Sequence, residues 1–350
     1  YHRKPCDLVF ASMVTVHGIE FAPLFIPLRR RLQTLGVLYY GLEFLPLSFA
    51  YCLLLIYLLF TKFYFISITY FLWYCYDLKS CRKGGTRGRW LRKAIWWKWI
   101  RDYFPISLVK TCDLDPNKNY IFGLHPHGIM CFAVMCNFGS EANNISNLFP
   151  GMTTYVLTLE EIYKLPLHRE IGLALGGRSV VKECLENLLT KNGVGNIVGV
   201  VVGGAVEALH AFPKKMILCL KDRKGFVKMA LKTGTSLVPV LSFGENDIFN
   251  QVQFDENSWY GKLQRKITAV LRFSPPLFYG RGIFQYSLGL MPFRKPIVTI
   301  VGAPINVPLN LTPTDEEIER VHEQYTNCLK QLFFDNKDKY GFSDTELVIL

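Results

Sequence analysis

The chain carries little charge for its length. Of its 350 residues 19% are Asp, Glu, Lys or Arg, against about 25% in ordinary soluble domains, which argues against a fully water-exposed protein. Ten cysteines are present, yet there is no Cys-x-x-Cys pair and no Cys/His grouping at metal-ligand spacing. The closest pairs are Cys75/Cys81 and Cys131/Cys136, so the cysteines read as reduced, buried thiols and no metal is expected. There is no Gly-x-Ser-x-Gly elbow, which argues against a serine lipase. No zinc-finger, basic-zipper or RNA-recognition pattern occurs, so nucleic acid drops out as a partner. Glycine (27) and proline (18) are ordinary in number and show no period, which removes collagen-like and low-complexity readings. No internal repeat is found. Tyr1 to His17 shows no apolar core ending in a small-residue site, so no cleavable signal is expected there.

What the chain has is apolar sequence. Half of it is hydrophobic and 14% aromatic, with a mean hydropathy of +0.18, and that surface excludes disorder. The 40 Lys and Arg against 28 Asp and Glu leave a net charge of +12. In so apolar a chain this favours anionic lipid headgroups and phosphorylated substrates.

Between Leu35 and Tyr76 only Glu43 and Lys62 are charged. A membrane-spanning helix needs about 20 apolar residues. Phe44 to Thr61 is nearly that long, and extension back to Leu35 makes it ample. Phe63 to Tyr76 is shorter, a tilted or re-entrant second leg. Arg29, Arg30 and Arg31 precede this stretch, and Lys79, Arg82, Lys83, Arg87, Arg89, Arg92 and Lys93 follow it. Because positive flanks stay cytosolic, a transmembrane helical hairpin that enters and leaves from that face is expected. Trp90 to Lys110 mixes Trp96, Trp97 and Trp99 with Lys98 and Arg101, a composition suited to the membrane interface.

From Asn119 the pattern changes to short apolar runs punctuated by Gly and Pro. Tyr120 to Gly123, Asn196 to Val202, Met216 to Leu220, Leu237 to Phe243 and Pro296 to Val301 read as strands. Val180 to Leu189 and Gly225 to Lys232 read as helices between them, which indicates an α/β fold. A last helix is expected to be capped by Thr312 with Pro313 at its first position. Its apolar face is Ile318, Val321, Tyr325, Leu329 and Leu332. The expected organisation is an N-terminal cytosolic segment over 1–34, a membrane hairpin over 35–76, a basic and aromatic interfacial segment over 77–118, and an α/β domain over 119–350.

Three clusters in the α/β domain can carry chemistry. Gly123-Leu124-His125-Pro126-His127-Gly128 follows a strand directly, and imidazole with a pKa near 6.5 suits a general base at neutral pH. Val202-Gly203-Gly204-Ala205-Val206-Glu207 again follows a strand, with paired glycines whose N–H groups can meet an anion and a carboxylate beside them. Arg223-Lys224-Gly225-Phe226 places cations at a helix start, where phosphates are held; a solvated charged face is the plainer alternative. Gly244-Glu245-Asn246-Asp247 ends another strand with no role that spacing assigns.

These clusters, in this order after Tyr103-Phe104-Pro105, resemble the monoacylglycerol/diacylglycerol acyltransferase family, that of the type-two diacylglycerol acyltransferase. The resemblance runs from about Ile19 to Leu350 and includes Phe278-Tyr279-Gly280-Arg281-Gly282. Ile19-Glu20-Phe21-Ala22-Pro23-Leu24 and Arg31-Leu32-Gln33-Thr34 look most like the monoacylglycerol acyltransferase branch. Phe44-Leu45-Pro46-Leu47 is similar to a short neutral-lipid-binding motif, with Phe44, Leu45 and Leu47 as its apolar positions. The resemblance implies a glycerolipid-acyltransferase-like mixed sheet with flanking helices. It implies a multi-pass enzyme of the endoplasmic-reticulum membrane, with lipid droplets as a second location and the active site at the cytosolic face. Acyl-CoA is then a substrate, and no cofactor is called for. The acceptor is monoacylglycerol, giving diacylglycerol for triacylglycerol synthesis; diacylglycerol or a long-chain alcohol is the alternative acceptor, and a non-enzymatic lipid-binding or membrane-shaping protein is the distant one. A homo-oligomer is compatible with it.

Gly204 to Glu207, Arg223 to Phe226 and Leu237 to Val240 also resemble the acyltransferases that act on glycerol phosphate. Those enzymes pair a His with an Asp five residues later, where this chain has Met130 or Phe132. Glu207 is therefore expected to orient the base, His127, with His125 shaping the turn or assisting with substrate. Gly128, Gly203 and Gly204 are expected to supply oxyanion donors, and Arg223 and Lys224 to pair with CoA phosphates. Asn144-Ile145-Ser146 and Asn310-Leu311-Thr312 match glycosylation acceptors, and a cytosolic domain would leave both unmodified.

Overall fold

The computed structural model describes residues 14–350 except 17, 24, 45, 86–87, 255–257 and 272–275. Tyr1 to Met13 of the expected N-terminal segment, Leu45 of the short lipid motif and Arg87 of the basic flank lie outside the described residues. After a small hairpin of β1 (Val14–Val16) and β2 (Ile19–Phe21), the apolar stretch forms three helices, α1 (Leu28–Phe44), α2 (Pro46–Leu59) and α3 (Tyr64–Asp77). Pro46 is the reason for three: it cannot continue α1 but suits the first position of a new helix. The axes of α1 and α2 bend by 61° at that break. α2 and α3 are each 14 residues long, about 21 Å of helix against a hydrocarbon core of about 30 Å.

The hairpin is present, therefore, but the expected spanning helix is not: among the described residues no single helix is long and apolar enough to cross a membrane. Polar ties hold this hairpin to the rest of the chain. Arg169, wholly buried, lies 3.2 Å from Asp77, and the Tyr70 hydroxyl donates to Glu170 at 2.8 Å. α4 (Ile95–Tyr103) buries Trp97, Ile100 and Tyr103, with α1 packed closely on it through Gly36.

A seven-stranded sheet forms the body, in the order β3 (Ile106–Lys110), β12 (Ile297–Val301), β9 (Ser236–Phe243), β4 (Tyr120–His125), β7 (Asn196–Val201), β5 (Thr153–Thr158) and β6 (Gly177–Ser179). β3 falls within the expected interfacial segment, so the sheet starts before Asn119. β9, β4, β7, β5 and β6 run parallel; β12 meets β9 antiparallel, and β3 runs with β12. Every residue of β4 and β9 is buried, the signature of strands covered on both faces. Side chains alternate across the pleat. Ile121 of β4 packs with α8 (Lys182–Thr190), α9 (Gly225–Thr233) and α11 (Asp315–Lys337), while Phe122 and Leu124 face Val134 of α5 (Phe132–Asn137), Phe138 and Phe149.

The remaining helices are α6 (Ile145–Leu148), α7 (His168–Ala174) and α10 (Trp259–Leu271). β8 (Lys215–Leu218) pairs with the last strand, β13 (Glu346–Ile349), and β10 (Asn250–Gln251) with β11 (Phe278–Tyr279). The expected apolar face of α11 is buried throughout. Its cap, however, is Thr314 rather than Thr312, because Thr314 and Glu317 satisfy each other's N–H groups in a capping box.

Candidate active site

The two histidines close β4, Gly203-Gly204 follow β7, and Gly244-Glu245 follow β9, so three turns meet at the carboxyl edge of adjacent parallel strands. In open α/β sheets that edge is where ligands bind. The His125–Pro126 bond is cis, and Gly128 adopts a φ of +62°, which glycine tolerates most easily.

His127 lies half-buried in this turn. Its Nδ1 is 2.8 Å from the Gly128 carbonyl. A carbonyl only accepts, so the proton sits on Nδ1 and Nε2 keeps its lone pair. Burial holds the imidazole below its ordinary 6.5, against the opposing pull of the Gly128 bond. Glu207 is brought to His127 across 80 residues, but to its main chain: Oε2 accepts the His127 N–H at 2.7 Å, and Oε1 accepts the Cys219 N–H at 2.9 Å. It fixes the turn and not the ring, because Nδ1 is already taken by Gly128. Burial raises the Glu207 carboxyl to about 7, against the lowering effect of both N–H bonds and of Arg223. A side chain at Gly203 would collide with this carboxylate, whereas Gly204, at φ +63°, faces open space.

His125 is 1% exposed. Its Nε2 is 2.9 Å from the Tyr325 hydroxyl, which donates to the Gly123 carbonyl at 3.2 Å. Burial pushes its pKa to about 3, so this ring shapes the base of the turn and stays neutral.

Two residues assigned no part by the sequence reading join the site. Tyr325, read only as a core position of the last helix, holds His125. Glu245 is 1% exposed and accepts the N–H groups of Phe132 and Ala133, each at 2.9 Å. It thereby caps α5 and lies directly beneath Gly128, where an added Cβ would come within 2.6 Å of its Cγ. Burial lifts its carboxyl to about 8, against those two N–H bonds. The one available signal was a carboxylate directly behind a strand and a glycine.

Of the other expected residues, Arg223 stands close enough to this turn to lower the Glu207 carboxyl. Lys224 is engaged by Glu319 in an exposed ion pair. It lines a groove of about 400 Å³ with Gly225, Lys228, Asp315, Ile318 and Glu319, where cations and carboxylates balance. Arg223 is exposed beside it. Phe44 and Leu47 are half-buried at the α1–α2 break, and Tyr40 of α1 donates to the Met130 carbonyl at 2.8 Å just beyond the histidine turn.

The chain matches the sequence profile described as diacylglycerol acyltransferase over residues 56–350. The 2-acylglycerol O-acyltransferase 1 of Bos taurus is 45% identical over 331 residues, covering 95% of this chain and 99% of that protein. The diacylglycerol O-acyltransferase 2 of Danio rerio is 44% identical over 322 residues, covering 92% and 89%. Among solved structures, a 1-acyl-sn-glycerophosphate acyltransferase from Thermotoga maritima covers 89% of this chain and 98% of its own, at 14% identity and a TM-score of 0.40, too loose a likeness to bear on the site. The profile match over most of the chain, with relatives this similar along nearly all of it, settles the kinship: the chain belongs to the diacylglycerol acyltransferase family and is an acyltransferase.

Proposed function

We propose that this chain transfers an acyl group from acyl-CoA to monoacylglycerol, with His127 as general base. The contact that carries the reading is the Nδ1 bond to Gly128, which leaves Nε2 as the basic nitrogen on a ring that burial keeps neutral at pH 7. A thioester is already activated, so no enzyme nucleophile is needed. Nε2 takes the proton as the glycerol hydroxyl attacks the thioester carbonyl; the C–S bond then breaks, an ester forms, and the imidazolium returns the proton to the CoA thiolate. N–H groups at Gly128 and Gly203-Gly204 stabilise the oxyanion. Glu207 and Glu245 are positioning residues that fix the turn from two sides.

Monoacylglycerol is favoured as acceptor because Ile19-Glu20-Phe21-Ala22-Pro23-Leu24 and Arg31-Leu32-Gln33-Thr34 look most like the monoacylglycerol acyltransferase branch. The α2–α3 hairpin bears exposed apolar residues, Leu53, Phe60, Phe71 and Leu72 among them. It supports attachment to the cytosolic side of the endoplasmic-reticulum membrane, where both greasy substrates reside. The test is His127→Ala in the purified full chain, assayed with radiolabelled oleoyl-CoA and each acceptor separately. General-base catalysis is worth about 10²–10⁴-fold, so transfer should fall by that factor with expression intact. Near-normal transfer removes His127, and transfer to diacylglycerol alone moves the acceptor.

A further inference from the structure

We infer that Arg281 and Arg294 form a phosphate subsite that holds a CoA phosphate while the thioester lies at His127. The inference rests on the acyl-CoA reading above. Arg281 is 7% exposed. Its Nε donates to the Tyr103 hydroxyl at 2.9 Å, and its guanidinium lies 5.4 Å from the Tyr103 ring and 4.9 Å from that of Tyr286. Arg294 stacks on the same Tyr103 ring at 3.9 Å. It donates to Gln33 Oε1 at 2.6 Å, the Arg30 carbonyl at 3.2 Å and Thr34 Oγ1 at 3.3 Å.

Every one of these acceptors is neutral. Among the described residues neither guanidinium has an ion pair. Asp102, beside Tyr103, is held by Arg29 at 3.0 Å and Arg101 at 2.7 Å, and Glu20 meets this segment through its main chain, its carbonyl accepting the Tyr286 N–H and its N–H donating to Ser287 Oγ. Burial pushes Arg294 down to about 10; Tyr103 opposes this, and the like charges of Arg281 and Arg30 add to it. Sequestered cations with no counter-charge are costly, and they recover that cost when an anion arrives. With Nε committed to Tyr103, the two terminal nitrogens of Arg281 remain as a fork, the geometry that grips phosphate oxygens in pairs.

Topology sets the distance. β3 and β12 run against β9 and β4, so they begin at the edge where β4 ends. Tyr103 leads into β3, and Arg294 leads into β12, two strands from the histidine turn. Two or three strand spacings are about 10–14 Å. The pantetheine arm has roughly the reach of four residues of extended chain, about 14 Å, so a phosphate gripped here sets the thioester near His127. The groove at the start of α9 suits a phosphate less, since Asp315 and Glu319 line it beside Lys224 and Lys228.

The test uses the purified full chain with oleoyl-CoA and with oleoyl-N-acetylcysteamine, a thioester that carries no phosphate. Arg294→Gln should cut the preference for oleoyl-CoA, read as the ratio of the two kcat/KM values, by about 10- to 100-fold. Inhibition by 3′,5′-ADP should weaken by a similar factor. Arg294 is at the rim, so it keeps the test sound if Arg281→Gln fails to fold. An unchanged ratio overturns the inference. So does a fall produced by Arg223→Gln and not by Arg294→Gln, which places the phosphates at α9, or a loss confined to activation by phosphatidylserine vesicles, which makes this a lipid-headgroup site. If the wild type consumes no oleoyl-CoA with any acceptor, the parent reading fails. Calorimetric binding of 3′,5′-ADP to wild type and Arg294→Gln then judges the subsite alone, and equal affinities reject it.

Discussion

The side of His127 that carries the proton decides which nitrogen can act as base, and the Gly128 carbonyl makes that choice. Because burial holds the ring below 6.5, the acidic limb of kcat/KM should have its midpoint below that value, and a pH–rate profile at fixed substrate checks it. A midpoint at or above 6.5 would mean that another group is being titrated. The carboxylates behave in the opposite sense. Glu207 and Glu245 are raised from 4.5 to about 7 and about 8, so the native state holds their protons more tightly than the unfolded chain does. That stability is complete below the unfolded value and is lost as pH rises through the folded values. Glu245→Gln should therefore flatten the decline of thermal stability between about pH 5 and 8, an effect of a few kcal/mol at most; an unchanged slope rejects the assignment. The histidine turn was legible because its residue types announce chemistry. Glu245 was not, because its worth lies in N–H groups 112 and 113 residues away that only the fold brings to it.

Elements set how much each turn tolerates. Gly128 and Gly204 share a positive φ, at +62° and +63°, a conformation that costs a side chain about 1–2 kcal/mol. Of these two, Gly128 alone would also press a Cβ on a buried glutamate, 2.6 Å from the Glu245 Cγ. Gly204→Ala should thus lose about that much stability and retain most activity, whereas Gly128→Ala should displace Glu245 and the α5 start and lose transfer by about 10-fold or more. Thermal unfolding and acyl-transfer assays on both variants separate the outcomes; equal activities would mean the turn is not part of the site. The same strands that carry these turns were the readable ones. β4, β7, β9 and β12 came within two residues of their bounds because strands buried on both faces are unbroken apolar runs. β5 and β6 were missed: Thr-rich Thr153–Thr158 and the three residues of Gly177–Ser179 resemble loops until neighbours pair with them. β3 was hidden in sequence whose tryptophans and cations suggested an interface. Pro46 divides one apolar run into helices each too short to span, an effect of backbone geometry that hydropathy alone does not register.

At the scale of the whole molecule the hairpin and the body are one structure. α1 packs on α4 and reaches the histidine turn through Tyr40, while the far end of α3 is held by the buried Arg169–Asp77 pair. Both legs of the α2–α3 hairpin therefore return to the same body, and a chain that dips into a bilayer between them emerges on the side it left. That geometry fixes the fate of the two acceptor sequences. Asn144 is exposed at the start of α6, and Asn310 is half-buried before α11 with its Nδ2 donating to Glu317 at 2.8 Å. Opposite sides for the two would require the sheet itself to be threaded through the membrane, because β4, which precedes Asn144, pairs directly with β7 and β9, which follow it. With the body on the cytosolic face both should stay unmodified. Protein made with microsomes should run at the same mobility before and after endoglycosidase, and substitution of either Asn by Gln should change nothing. A shift abolished by both substitutions together would put the whole body, and with it the acyl-CoA site, in the lumen.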